Sequence, residues 1–184
     1  MAAGTAALPT VASFIKIRPI RKKTMRKLFL AAVVALFCAN AFAQIPSVTL
    51  KDIDGNTINT AELNNDGKPF VISFFATWCK PCMRELDAIS EVYEEWQEET
   101  GMRVIIVSID DGQNVAKVKP LVNSKGWEYY VLLDPNGDFK RAMNVQMVPT
   151  LFVLDGKGKV VDSHTGYADG SEEHIIELIR TLVN

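Results

Sequence analysis

The tetrapeptide Cys79-Lys80-Pro81-Cys82 holds the residues of this 184-residue chain whose type and spacing most directly specify chemistry. A cysteine thiolate is a nucleophile, and a second thiol close by can displace it, so the pair suits thiol–disulfide exchange. Cys79 follows an apolar run and falls at the expected first turn of a helix. Unpaired amide N–H groups and the positive end of the helix dipole favour a thiolate there. Lys80 adds a nearby positive charge. Pro81 fits the first helical turn, where its missing N–H costs nothing, and it stiffens the loop so that the second sulfur stays close. Attack by Cys79 on a substrate disulfide would give a mixed disulfide. Cys82, one turn further in and expected to be more buried, would resolve it and leave a Cys79–Cys82 bond.

Other uses of the pair fare worse. Zinc needs about four ligands, and beyond residue 43 the other soft ligands are His164 and His174, neither in a paired spacing. A c-type haem requires histidine directly after the second cysteine, and that position is Met83. An inert disulfide closing so short a loop would restrain almost no unfolded-state entropy. No metal and no cofactor is expected beyond the redox-active disulfide of Cys79 and Cys82.

Hydrophobic patterning supplies the elements that must position this loop. Residues 48–50 and 57–58 flank Asp54-Gly55 and read as an N-terminal hairpin, followed by a short helical piece around Ala61 to Leu63. Residues 70–75 (FVISFF) form a nearly continuous apolar strand, which implies burial on both faces. A helix from about Pro81 to Thr100 sets Leu86, Ile89, Val92 and Trp96 at helical spacing, with Glu91, Glu94, Glu95, Glu98 and Glu99 as a solvated face and Gly101 as a stop. Residues 104–109 read as a second buried strand, 114–125 as a helix kinked or divided by Pro120, and 129–133 as a third strand. A short helix near 139–143 precedes strands at 150–154 and 160–163, joined by Asp155-Gly156-Lys157-Gly158. Ser171 is expected to cap a final helix whose Ile175, Ile176, Leu178, Ile179 and Leu182 face the sheet. The order β-α-β-α-β, then β-β-α, predicts a single α/β domain with a mixed central sheet and helices on both faces.

The formal charge of −2 conceals an asymmetry. Residues 1–43 hold seven Lys or Arg and no Asp or Glu, so residues 44–184 carry 13 cations against 22 anions, a net −9. So acidic a body argues against a nucleic-acid binder, which needs clustered basic residues. The basic segment reads as export machinery: residues 25–27 (MRK), an apolar run at 28–39, and Ala41-Phe42-Ala43 as a small-x-small cleavage pattern. The run is short of the roughly 20 apolar residues of a membrane span, so a cleaved signal over 25–43 with Gln44 as the mature terminus is the expectation, and an uncleaved signal anchor the alternative. Residues 1–24 read as an over-extended N-terminus ahead of the true initiator Met25. Cys38 follows the large Phe37, which disfavours lipidation. Two cysteines then remain in the mature domain, 44–184, too few for a disulfide scaffold.

Residues 74–82 (FFATWCKPC) resemble the active-site strand and loop of the thioredoxin superfamily, and Val148-Pro149-Thr150 resembles its cis-proline loop. The leader, the hairpin, the W-C-x-P-C-x-x-E pattern ending at Glu85, and the helix and strand inserted between residues 112 and 133 are similar to one branch, the exported thiol:disulfide oxidoreductases of the ResA and TlpA type. The resemblance covers essentially all of 44–184 and implies a thioredoxin-like fold. It also implies that Trp78 shields the loop, that Pro149 is cis and lines a substrate groove, that Val148 offers backbone hydrogen bonds to the bound chain, and that Glu85 tunes the cysteines. The competing reading of Glu85 is a solvent-facing helix glutamate. Two departures from the pattern stand out. Ser73 occupies the place of thioredoxin's buried Asp and cannot act as a base for Cys82, and Asp87 stands where this branch often has proline.

By the same resemblance the expected activity is reduction of disulfides in exported proteins in the periplasm, apocytochromes c among them. A membrane thiol-reductase would be the electron donor, the protein a monomer, and nucleic acid no partner. A disulfide-forming oxidase, a thiol peroxidase and a redox-inactive binding module are the alternatives. Against the peroxidase, Ala76 stands where peroxiredoxins place Thr, three residues before the reactive cysteine; against the binding module, both cysteines are intact.

Overall fold

The computed structural model describes residues 44–183. The assignments of 1–24 and 25–43, Cys38 included, lie outside these residues. Strands β1 (Thr49–Asp52) and β2 (Thr57–Asn59) form the N-terminal hairpin, with Leu50 opposite Ile58. Asp52 organises its turn: one carboxylate oxygen accepts the amides of Asp54 and Asn56, each at 2.9 Å, and the other accepts the Asn56 side-chain amide at 2.9 Å. These bonds, that of the Asn56 side chain foremost, hold the Asp52 carboxyl below the usual carboxylate range. A depressed folded-state pKa gives stability that is complete above the unfolded value of about 3.9 and is lost as the pH falls through the folded value. Asp52→Asn is therefore expected to flatten the decline of Tm below about pH 4, as measured by thermal unfolding across an acid series.

After a 3-10 turn at Thr60–Glu62, β3 (Phe70–Phe75) runs through the middle of the sheet with all six residues buried. Helix α1 (Lys80–Thr100) follows and ends at Gly101, whose φ of 66° is the left-handed conformation that favours glycine. Its buried stripe is Cys82, Glu85, Leu86, Ile89, Tyr93, Trp96 and Thr100. Val92 packs at the edge of this stripe, half-buried against the same cluster, and Tyr93 joins it more deeply: its phenol oxygen accepts the Val104 amide at 3.1 Å and ties the helix to the next strand. β4 (Arg103–Ser108) lies parallel to β3, and β5 (Tyr130–Leu133) parallel to β4. The expected helix between them is divided, but the break falls ahead of Pro120: a 3-10 turn at Val115–Lys117 leads into α2 (Val118–Lys125). Pro120 is the third residue of α2, where a missing N–H removes no helical bond.

Helix α3 (Asp138–Ala142) precedes β6 (Thr150–Leu154) and β7 (Val160–Thr165), and α4 (Glu172–Val183) closes the domain. β7 runs two residues past the expected end, so that Thr150 pairs with Thr165 and Leu151 with His164. Ser171 does not cap α4: its hydroxyl is buried without a hydrogen-bond partner, while its amide donates to the Ala168 carbonyl at 3.0 Å. The sheet order is β2-β1-β5-β4-β3-β6-β7, with β6 antiparallel to β3. One apolar cluster joins α1, α2 and α4 to one face of the sheet, and a second packs α3 and the hairpin on the other. This is the expected α/β mixed sheet with helices on both faces.

The β6–β7 loop presses on the loop before β3. A Cβ added at Gly156 would lie 1.9 Å from the Gly67 carbonyl oxygen and 2.4 Å from its carbon, with no flexible side chain to give way. Gly156→Ala is expected to cost about 2–4 kcal/mol by forcing two backbones apart. Gly112→Ala, which meets nothing within 4 Å, should be near neutral; denaturant midpoints of the two variants check the contrast.

Candidate active site

The site is built where β3 stops and α1 starts. The Cys79 amide donates to the Ala76 carbonyl at 3.0 Å, which turns the chain out of the sheet. Cys79 then takes the extended N-cap conformation, φ −90° and ψ 99°, and its Sγ accepts the Cys82 amide at 3.3 Å. A sulfur at the N-cap satisfies one of the helix's unpaired donors, and the same donors stabilise negative charge on that sulfur when the pair is reduced. Pro81 sits in the first turn. The cysteines are joined as a disulfide with Cα atoms 5.3 Å apart. Cys79 keeps 5% of its surface exposed and Cys82 none, so an incoming sulfur meets Cys79. Lys80 and Pro81 are exposed, and Trp78, 65% exposed, stands beside the disulfide in sequence.

A residue without a role in the sequence reading fixes the approach to Cys79. Asp110, fully buried after β4, accepts the Thr77 amide at 2.8 Å, the Thr77 hydroxyl at 2.7 Å and the Ser108 hydroxyl at 2.9 Å. Its one sequence signal is an acidic residue directly after a buried strand. A carboxylate accepting three donors is a stable way to bury charge, and here it clamps the loop two residues ahead of the nucleophile.

Glu85 is not solvent-facing. It is 1% exposed, and its Oε2 accepts the hydroxyl of Ser73, itself fully buried, at 2.9 Å. The two sites where the sequence departs from or matches the family pattern are thus one unit: Ser73 offers no carboxylate from the strand, but it binds the carboxylate that α1 delivers. The other oxygen, Oε1, lies 3.3 Å from His164 Nε2. Asp87 leaves α1 unbroken and has a structural contact of its own, accepting Trp127 Nε1 at 3.1 Å and pairing with Lys125 Nζ at 2.6 Å.

Antiparallel pairing of β6 with β3 sets Thr150 opposite Phe74, which brings Val148 and Pro149 to the end of the sheet where Cys79 lies. The Val148–Pro149 peptide is cis. Pro149 is buried, its carbonyl accepts the Gly166 amide at 2.8 Å, and the Thr150 hydroxyl donates to the Met147 carbonyl at 2.7 Å. Val148 packs on the cluster that contains both cysteines. Met147, which no sequence motif marks, is 60% exposed; with Trp78 it is one of the two most exposed large hydrophobic side chains among the described residues. The arrangement offers one accessible sulfur at a helix N-terminus, a buried sulfur behind it, and a loop beside it with an exposed apolar side chain. That geometry suits exchange with a disulfide carried on an extended chain.

A model of the AhpC/TSA family matches residues 42–163. A thiol-disulfide oxidoreductase named ResA from Bacillus anthracis is 31% identical over 123 residues, covering 67% of this chain and 68% of the relative. The solution structure of a thioredoxin-like protein from Porphyromonas gingivalis is 61% identical, covers 78% of this chain and 94% of its own, and superposes with a TM-score of 0.70. The crystal structure of a thiol:disulfide interchange protein, DsbE, from Chlorobium tepidum, 22% identical, shares the fold with a TM-score of 0.67 over 78% of this chain and 97% of its own.

Proposed function

The chain belongs to the AhpC/TSA family and is a thiol:disulfide oxidoreductase of thioredoxin-like fold, and on that premise we propose that it is an exported reductase of protein disulfides, with Cys79 as nucleophile and Cys82 as resolving thiol. The observation that carries the roles is the pair's order of access at the start of α1, with Cys79 at the N-cap and 5% exposed and Cys82 fully buried one turn on. Reduced Cys79 attacks the substrate disulfide, one substrate sulfur leaves, and Cys82 displaces the other to close the Cys79–Cys82 bond. Trp78, Lys80 and Pro81 form the rim of the loop, Val148 and Pro149 the side of the groove against which the substrate chain lies, and Glu85 the buried carboxylate that tunes the thiols. The cycle calls for no metal or organic cofactor beyond the disulfide.

The basic, apolar segment at 25–43 supports export to the periplasm. Substrates are then cysteine-containing exported proteins, apocytochromes c being the leading class, and a membrane thiol-reductase returns electrons to a monomeric protein. Among the described residues no helix is long and apolar enough to cross a membrane.

Direction and reaction class are tested together. The reduction potential is measured against a glutathione or dithiothreitol series, and insulin reduction is compared with hydrogen peroxide consumption. A potential well below about −200 mV with insulin reduction is the expected result. A potential near that of strong oxidases, about −120 mV, overturns the reductase direction. Peroxide consumption outpacing insulin reduction overturns the substrate class.

A further inference from the structure

Register places three residues in a row across the sheet beneath α1: Ser73 on β3 opposite Leu151 on β6, and Leu151 opposite His164 on β7. Glu85 comes down from α1 onto this row, its Oε2 bonded to the Ser73 hydroxyl at 2.9 Å and its Oε1 3.3 Å from His164 Nε2. Ser73 and Leu151 are fully buried and Glu85 is 1% exposed, whereas the His164 side chain keeps 25% of its surface. Among the described residues hydrogen-bonded to the carboxylate, Ser73 is fully buried and His164 reaches solvent, and an imidazole can accept a proton at one ring nitrogen and give one up at the other. Cys82 lies one turn before Glu85 on the same buried stripe, and side chains three residues apart on a helix are neighbours.

We propose that His164 is a positioning residue for the exchange reaction, connecting the buried Glu85 carboxylate to solvent so that the proton released by Cys82 can leave the core. The proposal rests on the exchange reading given above. In the resolving step the Cys82 thiol gives its proton to Glu85, and the resulting thiolate forms the bond to Cys79 Sγ. The bond from Cys79 to the substrate sulfur breaks, its electron pair leaves with that sulfur, and solvent protonates the product thiolate. Glu85 passes its proton to His164 Nε2, and the partly exposed ring returns a proton to water. Over the whole cycle two electrons pass from the enzyme dithiol to the substrate disulfide.

The surroundings of the ring suit this duty. His164 borders a cavity of about 450 Å³ that Tyr167, Ser171 and His174 also line. β6 presents apolar Leu151, and α1 presents Glu85. On the cavity side, His174 lies 3.5 Å from Asp162, and Tyr167 donates to Glu172 at 2.9 Å. Burial, then Glu172, pushes the Tyr167 phenol up to about 12, so it stays protonated. Arg84 pairs with Asp169 at 3.2 Å and stands over the Tyr167 ring.

The test uses the protein with Cys38→Ser, so that Cys79 and Cys82 are its remaining thiols, reduced and mixed with a symmetric aromatic disulfide that releases a coloured thiolate at each step. The first release reports attack by Cys79 and the second resolution by Cys82; both are followed by stopped flow from pH 5 to 9. His164→Gln, which keeps a hydrogen-bond donor but cannot relay a proton, is expected to slow the second release about tenfold near pH 6.5 and to change its pH profile, leaving the first release unaltered. Added imidazole is expected to restore the second release in His164→Ala, and Glu85→Gln combined with His164→Gln to be no slower than Glu85→Gln alone. A second release in His164→Gln with the parent rate and pH profile overturns the proposal, as does a uniform slowing at every pH without rescue by imidazole. Absence of any second release in the parent protein is a different failure, that of the exchange reading itself.

Discussion

Cys79→Ser is expected to lower disulfide reduction by at least about a thousandfold, to the level of the uncatalysed reaction with dithiothreitol. Serine cannot supply a thiolate, and the Cys82 sulfur that remains is fully buried, so no accessible nucleophile is left. Cys82→Ala is expected to fail differently. Its Cys79 still attacks, but with nothing behind it the mixed disulfide persists, giving one equivalent of released thiol per protein and then a halt. Alanine is preferred to serine at position 82 because a hydroxyl in that apolar cluster would cost about 1–3 kcal/mol without a partner. Insulin turbidity reads the first loss, and intact-protein mass reads the trapped adduct. Equal turnover in Cys79→Ser and the parent protein would remove the assigned nucleophile.

Asp110→Ala is expected to cost about 3–5 kcal/mol, a large share of the 5–15 kcal/mol that holds an ordinary domain folded. The buried carboxylate accepts three donors. A hydrogen bond to a charged group contributes about 1.5–3 kcal/mol, and the Thr77 amide would keep its burial without its acceptor. Asp110→Asn keeps one accepting oxygen but turns an amide toward donors, so an intermediate loss is expected. Because Thr77 is two residues ahead of Cys79, attack by Cys79 should slow in both variants even where they remain folded. Denaturant midpoints give the stability change, and the first-step rate of exchange gives the effect on the loop. A midpoint for Asp110→Ala within experimental error of the parent would show that the loop is held by other contacts.

The elements nearest the chemistry were legible because each is specified by a short stretch of chain. Six successive apolar residues make β3, a proline in the first turn and apolar spacing make α1, and the helix N-terminus falls beside Cys79 without reference to anything distant. The N-terminal hairpin followed equally from Asp54-Gly55 between two alternating runs. Difficulty began where a residue's role depends on what lies across from it. Val92 packs on the core as its spacing implies, but the deeper burial of Tyr93 follows from its hydroxyl reaching the Val104 amide, a partner on another element. Ser171 has the type and place of a cap, yet its hydroxyl is turned into the protein. In the sequence His164 stands out only as a soft ligand without a paired spacing, because nothing local shows that β7 continues past Ser163 to carry it opposite Leu151.

By itself the sequence determined the reacting groups, their local presentation at a strand–helix junction and the class of fold, since periods of 2 and 3.6 residues and turn chemistry act within a single element. The tertiary structure alone decided what surrounds those groups. Asp110 meets Thr77 across 33 residues, and His164 meets Glu85 across 79. Such contacts depend on strand order and register, because a shift of one residue in β7 would turn His164 to the other face of the sheet. Register is fixed by the packing of the whole core, a property that no window of the chain contains.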